Sequence, residues 1–486
     1  MNVSDLNLYA ILPLIVLAVG SCVLLLADLW IPQQRKIVLG GMTLVIISAA
    51  LVGAIAQRNI ALPTAFGGMV AFDGFAYLLT LISLLTGLMS VLLSMGYLHT
   101  HKVERPGEFF VLLLFTLMGM IVMAMARDLI VVFLGVELLS IPLYVLAGYL
   151  KNRSDSEESA MKYFLLGAFA SAFLVYGIAL VYGATQSTGF EKVIHALNTG
   201  SANAFLLTLG TGMILVGLGF KVAAVPFNLW TPDVYEGAPT PVTAFMSVGA
   251  KAAGFAALVR VFFEALGSAA QDWLLPIAVL AALTMIVGNI SAISQKSIKR
   301  LLAYSSIAHA GYILMAVTAA GQTNLVNSAV SGIVVYLISY AITNLGTWGV
   351  VLAVESAPGQ NNQVSDFAGL GKRNPALAVA MTVFMLSLTG LPPTIGFIGK
   401  LAVFRTAMDA GFIWLAVVGV ITSLVSAYYY LRVIVTMWMQ DGDTPVRLTP
   451  LLQGVVWVTA IASFVLGILP ASILDLAHTT IGTLFQ

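Results

Sequence analysis

Gly219-Phe220-Lys221-Val222-Ala223-Ala224-Val225-Pro226 puts a lysine inside an apolar helix and a proline five residues after it. A second interrupted stretch, Ser387-Leu388-Thr389-Gly390-Leu391-Pro392-Pro393, runs on to Lys400. Charge within lipid is costly, and broken backbone at membrane depth persists only inside protein or beside water. One such segment in each half of a chain is the pattern of an ion pathway rather than of an anchor.

The composition around these segments requires a bilayer. Of 486 residues, 60% are hydrophobic and 9% charged, against roughly 25% charged in soluble domains. A net charge of +1 gives no footprint for nucleic acid. Cys22 is the single cysteine, whereas an iron–sulfur cluster takes about four thiolates. No Gly-rich strand-to-helix fingerprint for a dinucleotide occurs in a suitable context. No cofactor or metal site is therefore expected on this chain, and electron chemistry would belong to other chains. The first apolar run, from about Leu8 to Leu26, has no Lys or Arg before it and is long for a signal segment, so it is expected to be a permanent span.

A spanning helix needs about 20 apolar residues, and that rule predicts an all-α polytopic membrane protein with about 14 transmembrane helices. The breaks fall in spans seven and twelve. If spans 4–8 and 9–13 are two repeats, each broken helix is fourth in its unit. A unit with an odd number of spans is inverted when repeated, which is the architecture of inverted-repeat transporters. The expected organisation is one membrane domain over 1–486. It divides into three N-terminal spans (1–105), a first repeat (106–264), a second repeat (270–440) and a final span (445–486).

One set of alternate loops holds Arg35, Lys36, Lys102, Arg105, Lys151, Arg153, Lys296, Lys299, Arg300, Lys372, Arg373 and Arg447. The opposite set holds mainly Arg58, Arg127, Lys192 and Arg405. The positive-inside rule makes the first set cytoplasmic and puts both termini on the other side.

Six intramembrane groups are candidates for proton handling. Glu137 lies in span five, with Ser140 and Tyr144 on its helix face. Lys162 lies early in span six. It could snorkel to the interface or pair with Glu137, and charges about 4 Å apart couple by about 4 kcal/mol at an effective dielectric near 20. Lys221 is deep and beside the first break. A buried lysine can alternate between charged and neutral forms, which arginine cannot. Lys251 is mid-span among small residues that let helices approach. Lys400 follows the second break, either at mid-depth or nearer a helix end. His309 shares a polar face with Ser305 and Tyr312, and its unperturbed pKa of about 6.5 suits a relay; packing is its other reading. In span eleven, Tyr336, Ser339, Tyr340, Thr343 and Thr347 form one polar face. Arg260, Glu264, Asp272, Arg405, Asp409 and Arg432 sit near span ends and are expected at the interface.

Four segments together carry a resemblance. They are Gly135-Val136-Glu137-Leu138-Leu139-Ser140-Ile141-Pro142-Leu143; Pro226-Phe227-Asn228-Leu229-Trp230-Thr231-Pro232-Asp233-Val234-Tyr235-Glu236-Gly237-Ala238-Pro239; Ser297-Ile298-Lys299-Arg300-Leu301-Leu302-Ala303-Tyr304-Ser305-Ser306 with His309; and Leu391-Pro392-Pro393-Thr394-Ile395-Gly396-Phe397-Ile398-Gly399-Lys400. Over nearly the whole chain the sequence resembles the subunit N family of bacterial respiratory complex I, the proton-pumping NADH:quinone oxidoreductase. The resemblance implies a Glu137–Lys162 pair, with Lys221, Lys251 and Lys400 as the proton-carrying lysines. It also implies NADH, FMN, iron–sulfur clusters and quinone on partner subunits, sister antiporter-like subunits as neighbours, and the bacterial inner membrane as location.

Two functional readings follow. The first is a proton-translocating subunit of that oxidoreductase. The alternative is a subunit of a stand-alone multisubunit cation/proton antiporter, which would need no redox partner. A purely structural role is disfavoured, because intramembrane charges cost about 2.5–3.5 kcal/mol each to insert.

Overall fold

Apolar sequence at this density satisfies its backbone in lipid only as helix, and the computed structural model is built almost wholly of helices. It describes residues 7–58, 64–101, 103, 105–150, 153–322, 324–355, 362–443 and 445–481. Lys102 and Lys151, of the charge set expected to be cytoplasmic, lie outside the described residues.

The N-terminal part holds α1 (Leu12–Trp30), α2 (Ile37–Ala56) and α3 (Gly74–Thr100), with a two-stranded hairpin, Thr64–Ala65 against Val70–Ala71, before α3. Next come α4 (Pro106–Met125), α5 (Leu129–Ala147), α6 (Ser154–Thr185), the short α7 (Phe190–Asn198), α8 (Ala204–Val222), α9 (Trp230–Gly237) and α10 (Thr240–Val259). A π-helical turn, Arg260–Ala265, continues α10. The second half holds α11 (Ala270–Ile293), α12 (Ile298–Val317), α13 (Val326–Glu355), α14 (Leu370–Arg373), α15 (Pro375–Thr389), α16 (Ile395–Asp409) and α17 (Ile413–Met439). The final pair is α18 (Pro450–Ile468) and α19 (Ala471–Ile481).

Helix starts follow local chemistry. Proline occupies the first turn of α1, α4, α10, α15 and α18, where a missing N–H leaves no bond unmade. Asp73, Asp128, Asn203, Ser297 and Asn374 cap α3, α5, α8, α12 and α15 by accepting a backbone N–H.

Among the described residues, thirteen helices are long and apolar enough to cross a membrane. The span expected near residue 388 is not one of them, because it is split into α15 and α16. Both breaks fall where the lysine–proline and Gly-Leu-Pro-Pro stretches predict them. The first half of each broken span ends on a left-handed residue, Ala223 (φ 62°) after α8 and Gly390 (φ 87°) after α15. Glycine adopts that conformation freely. Alanine does so at a cost of about 1–2 kcal/mol, which the surrounding packing must offset.

The two sets of five spans repeat one packing plan. α4 lies against α5 and α10, and α11 lies against α12 and α17. α6 packs on both parts of its broken span, α8 and α9, as α13 packs on α15 and α16. Five crossings per unit leave the second repeat inverted relative to the first. Every residue of α10 is buried, and this helix touches α3, α4, α5 and α8 on one side and α12 and α13 on the other. Its glycines permit the close approach: a Cβ on Gly249 would stand 2.8 Å from the Met120 side chain.

One expectation is overturned here. Arg260 and Glu264 are not interfacial. The Arg260 side chain is 0% exposed and donates to Asp73 at 2.7 Å, to Glu264 at 2.9 Å and to the Ala124 carbonyl at 2.8 Å. Arg127 joins the cluster through Glu264 at 2.6 Å. The π turn at the end of α10 carries the guanidinium inward onto the start of α3, so nearness to a span end did not mean nearness to water. Lys299 is likewise buried rather than solvated, and it donates to the Ala238 carbonyl at 2.9 Å.

Candidate functional site

Lys221, Lys251, His309 and Lys400 are buried within the bundle, whereas Glu137 is half-buried and the Lys162 side chain is 40% exposed. At the first break, Lys221 sits in the last turn of α8, where a cation meets the helix's unsatisfied carbonyl end. Its Nζ donates to Ser140 Oγ at 2.5 Å. Ser140 lies one turn along α5 from Glu137, so the expected helix face is the one that meets Lys221. A narrow cavity with room for about one water lies beside Lys221, between Tyr144, Gly167, Ser171 and Gly217.

Lys251 follows on α10. Gly254, one turn further on, packs against the backbone of Lys221. Lys251 Nζ donates to the Ser306 carbonyl on α12 and lies 6.0 Å from the centre of the Tyr340 ring. That ring lies 5.1 Å from His309, centre to centre. His309 is hydrogen-bonded through Nδ1 to the Tyr336 hydroxyl at 2.7 Å and through Nε2 to that of Tyr430 at 3.2 Å. Tyr312, 5.9 Å from His309 between ring centres, faces Lys400 Nζ at 4.9 Å.

Lys400 is buried, in the second turn of α16. Its Nζ donates to the Thr389 carbonyl and to Ser423 Oγ, both at 2.7 Å. Thr389 is the last residue of α15, so Lys400 neutralises the carbonyl end of that half-helix. Each broken span thus holds a lysine at the C-terminal end of its first half. Among the described residues, none of Lys221, Lys251 and Lys400 has a carboxylate within ion-pair distance.

The span-eleven stripe faces these groups. Tyr336, Ser339, Tyr340, Thr343 and Thr347 are all buried on α13. The first four line a small cavity with His309, Ser387 and Gly396. Thr343 and Ser387 share a hydrogen bond of 2.9 Å, and Gly396 N–H donates to Ser387 Oγ at 3.1 Å. A Cβ on Gly396 would stand 1.8 Å from the Ser387 carbonyl oxygen. Gly396→Ala should therefore push α16 off the end of α15 and destabilise the chain by about 1–3 kcal/mol. Thermal loss of this subunit from detergent-solubilised membranes measures that shift.

The Glu137–Lys162 pair does not form. Glu137 accepts from Ser171 Oγ at 2.5 Å. Ser171 is nine positions along α6 from Lys162 (171 against 162), or about 13 Å of helix. Lys162 instead pairs with Glu158 and with Asp233 of α9, both at 2.7 Å. The lysine lies too near the start of α6 to reach the mid-span level of Glu137.

Sequence reasoning missed several participants. Tyr430 and Ser423 on α17 complete the shells of His309 and Lys400. Asn289 on α11 donates to the Tyr312 hydroxyl at 3.1 Å and accepts from Tyr429 at 3.0 Å. The run Thr422, Ser423, Ser426, Tyr429 and Tyr430 carries a helical spacing of three and four that could have exposed α17 as a second polar stripe.

The comparisons with known proteins follow this geometry. The family described as "NADH:quinone oxidoreductase/Mrp antiporter, TM" matches residues 126–426. A protein of Trichlorobacter lovleyi named NADH-quinone oxidoreductase subunit N is 44% identical over 480 residues, covering 98% of this chain and 97% of its own length. The chain belongs to the NADH-quinone oxidoreductase subunit N family. A second subunit N, from Chloroflexus aggregans, is 44% identical over 489 residues, covering 98% of this chain and 97% of its own length. Among solved structures, a chain of respiratory complex I from Thermus thermophilus with bound Aureothin matches with a TM-score of 0.82 and 38% identity, covering 96% of this chain and 99% of that one. A chain of the Mrp complex from Dietzia sp. DQ12-45-1b matches with a TM-score of 0.83 at 20% identity, covering 100% of this chain and 98% of its own, which is a likeness of fold alone.

Proposed function

We propose that this chain is a proton-translocating membrane-arm subunit of NADH:quinone oxidoreductase. Electron transfer from NADH to quinone on other subunits drives protons through Glu137, Lys221, Lys251, His309 and Lys400, with Lys162 as an outlying charge. One observation carries this reading: three buried lysines, one at each broken helix and one between them, each held only by neutral oxygens, with Lys251 and Lys400 linked through Tyr340, His309 and Tyr312. A buried ion with no opposite partner lacks what would keep it charged, so such a lysine can be discharged and recharged. The hydroxyl groups of Tyr336, Tyr430 and Tyr312, with His309 among them, supply donors and acceptors between Lys251 and Lys400.

The same reading places NADH, FMN, iron–sulfur clusters and quinone on partner subunits, and sister antiporter-like subunits beside this one in a bacterial inner membrane. Both termini lie on the non-cytoplasmic side, as the charged loops imply. The segments 106–264 and 270–440 act as the two proton-handling units, after three N-terminal spans and before the last one.

The test uses the assembled enzyme in sealed vesicles, following NADH oxidation and proton uptake together. Lys251→Ala and Lys400→Ala are each expected to lower both by about tenfold or more, the scale of a lost proton-transfer group. Oxidation of NADH by an artificial acceptor should persist. A stand-alone cation/proton antiporter would instead exchange protons for cations without NADH, and cation-driven proton movement in vesicles of this chain alone would favour it.

A further inference from the structure

The short helix α9 is gripped from both repeats at once. From the first, Lys162 Nζ bonds Asp233 Oδ2 at 2.7 Å, and Ser159 Oγ donates to the Asp233 carbonyl at 3.0 Å. From the second, Arg300 donates to Asp233 Oδ1 at 3.0 Å, Ser297 Oγ to Glu236 at 2.6 Å and Lys299 Nζ to the Ala238 carbonyl at 2.9 Å. Those three residues open α12, the helix that also carries His309 and the Ser306 carbonyl on which Lys251 rests. The two oxygens of one carboxylate are therefore divided between a cation of each repeat.

Anchoring alone does not account for this arrangement. The side chains of Asp233, Lys162 and Arg300 are 34%, 40% and 37% exposed, and ion pairs so exposed add little to stability. α9 is already fixed by apolar contact, with Trp230 stacked on Tyr163 at 4.6 Å between centres and Tyr235 buried. A shared carboxylate does something different from gluing. Lys162 shares its ammonium between Asp233 and Glu158, each at 2.7 Å, so if it is drawn wholly to Glu158 the carboxylate of Asp233 falls to Arg300 alone. The first turn of α12 is then held more tightly against α9.

We propose that Asp233 is a positioning residue that joins the two repeats electrostatically, tying the placement of Lys162 to the placement of α12 and so to Lys251 and His309. This rests on the proton-pathway reading above. It gives the Trp-Thr-Pro-Asp-Val-Tyr-Glu-Gly segment a physical task beyond its value as a family signature.

The test compares Arg300→Gln, Asp233→Asn, the double variant and Arg300→Lys in the assembled enzyme in sealed vesicles. Proton uptake per NADH oxidised is the readout, with artificial-acceptor activity as the measure of assembly. Each single neutral variant is expected to lower that ratio by about fivefold, the low end of coupling between sites. The double should be no worse than Asp233→Asn alone within about twofold, because that change already removes the interaction that Arg300→Gln removes. Arg300→Lys should restore most of the ratio, which a purely local packing role would not predict. Losses that multiply in the double variant, or that track lost assembly, overturn the proposal. A normal ratio in Arg300→Gln beside a failed Lys221→Ala enzyme overturns the joint alone. A normal ratio in both overturns the pathway as well.

Discussion

Lys221→Arg is expected to stop proton uptake nearly as completely as Lys221→Ala, by about tenfold or more in each case. The two variants fail for different reasons. Alanine removes the ammonium that donates to Ser140 at 2.5 Å. Arginine keeps the positive charge but does not give up its proton in proteins, so it can hold the site and still not carry. NADH oxidation by an artificial acceptor should survive both changes, since the proposed function puts that reaction on other subunits. The measurement is proton uptake against NADH oxidation in sealed vesicles. Normal uptake in the arginine variant would mean that a fixed charge suffices at this position and that Lys221 is not a carrier.

Arg260→Met should destabilise the chain by about 3–5 kcal/mol, the cost of breaking a buried ionic network from one side. Asp73 and Glu264, 5% and 7% exposed, would lose their shared guanidinium. Arg127 would remain to serve Glu264 but not Asp73, whose Oδ1 also caps α3 through the Ala76 N–H. The cost therefore falls on the junction between the N-terminal spans and the first repeat. Thermal unfolding of the purified complex, followed by loss of this subunit, gives the magnitude. Arg260→Lys retains a charge without the planar fork and should fall between the two. Wild-type thermal stability in Arg260→Met would remove the cluster from any structural role.

Much of the site was legible because its signals are local. Lys251 has apolar sequence on both sides and Lys221 closes an apolar run at the first break, so span length alone places both within helices of the bundle. The breaks at Ala223 and Gly390 follow from Pro226 and from Gly390-Leu391-Pro392-Pro393. The stripe on span eleven follows from a spacing of three and four. Lys162 was misplaced because its registry against Glu137 depends on where α5 ends, how the turn to α6 is made and how far the two helices slide. Arg260 was misplaced because the π turn that redirects it has no marker in the sequence. Asp233 stood in full view within a recognisable motif, yet its task is defined by Lys162 and Arg300, which are 71 and 67 positions away.

The sequence by itself determined that this is a polytopic helical membrane protein, about where its spans lie, which two of them break and that Lys221 and Lys251 stand within apolar helices. Those properties depend on transfer free energy and backbone chemistry summed over short windows, and lipid leaves a helix no alternative way to satisfy its backbone. Only the tertiary structure decided the partners: Ser140 for Lys221, Thr389 and Ser423 for Lys400, Asp233 rather than Glu137 for Lys162, and a buried rather than interfacial Arg260. A partner across two helices depends on their rotation, registry and crossing, and these are settled by the packing of all the spans together rather than by the pattern within any one.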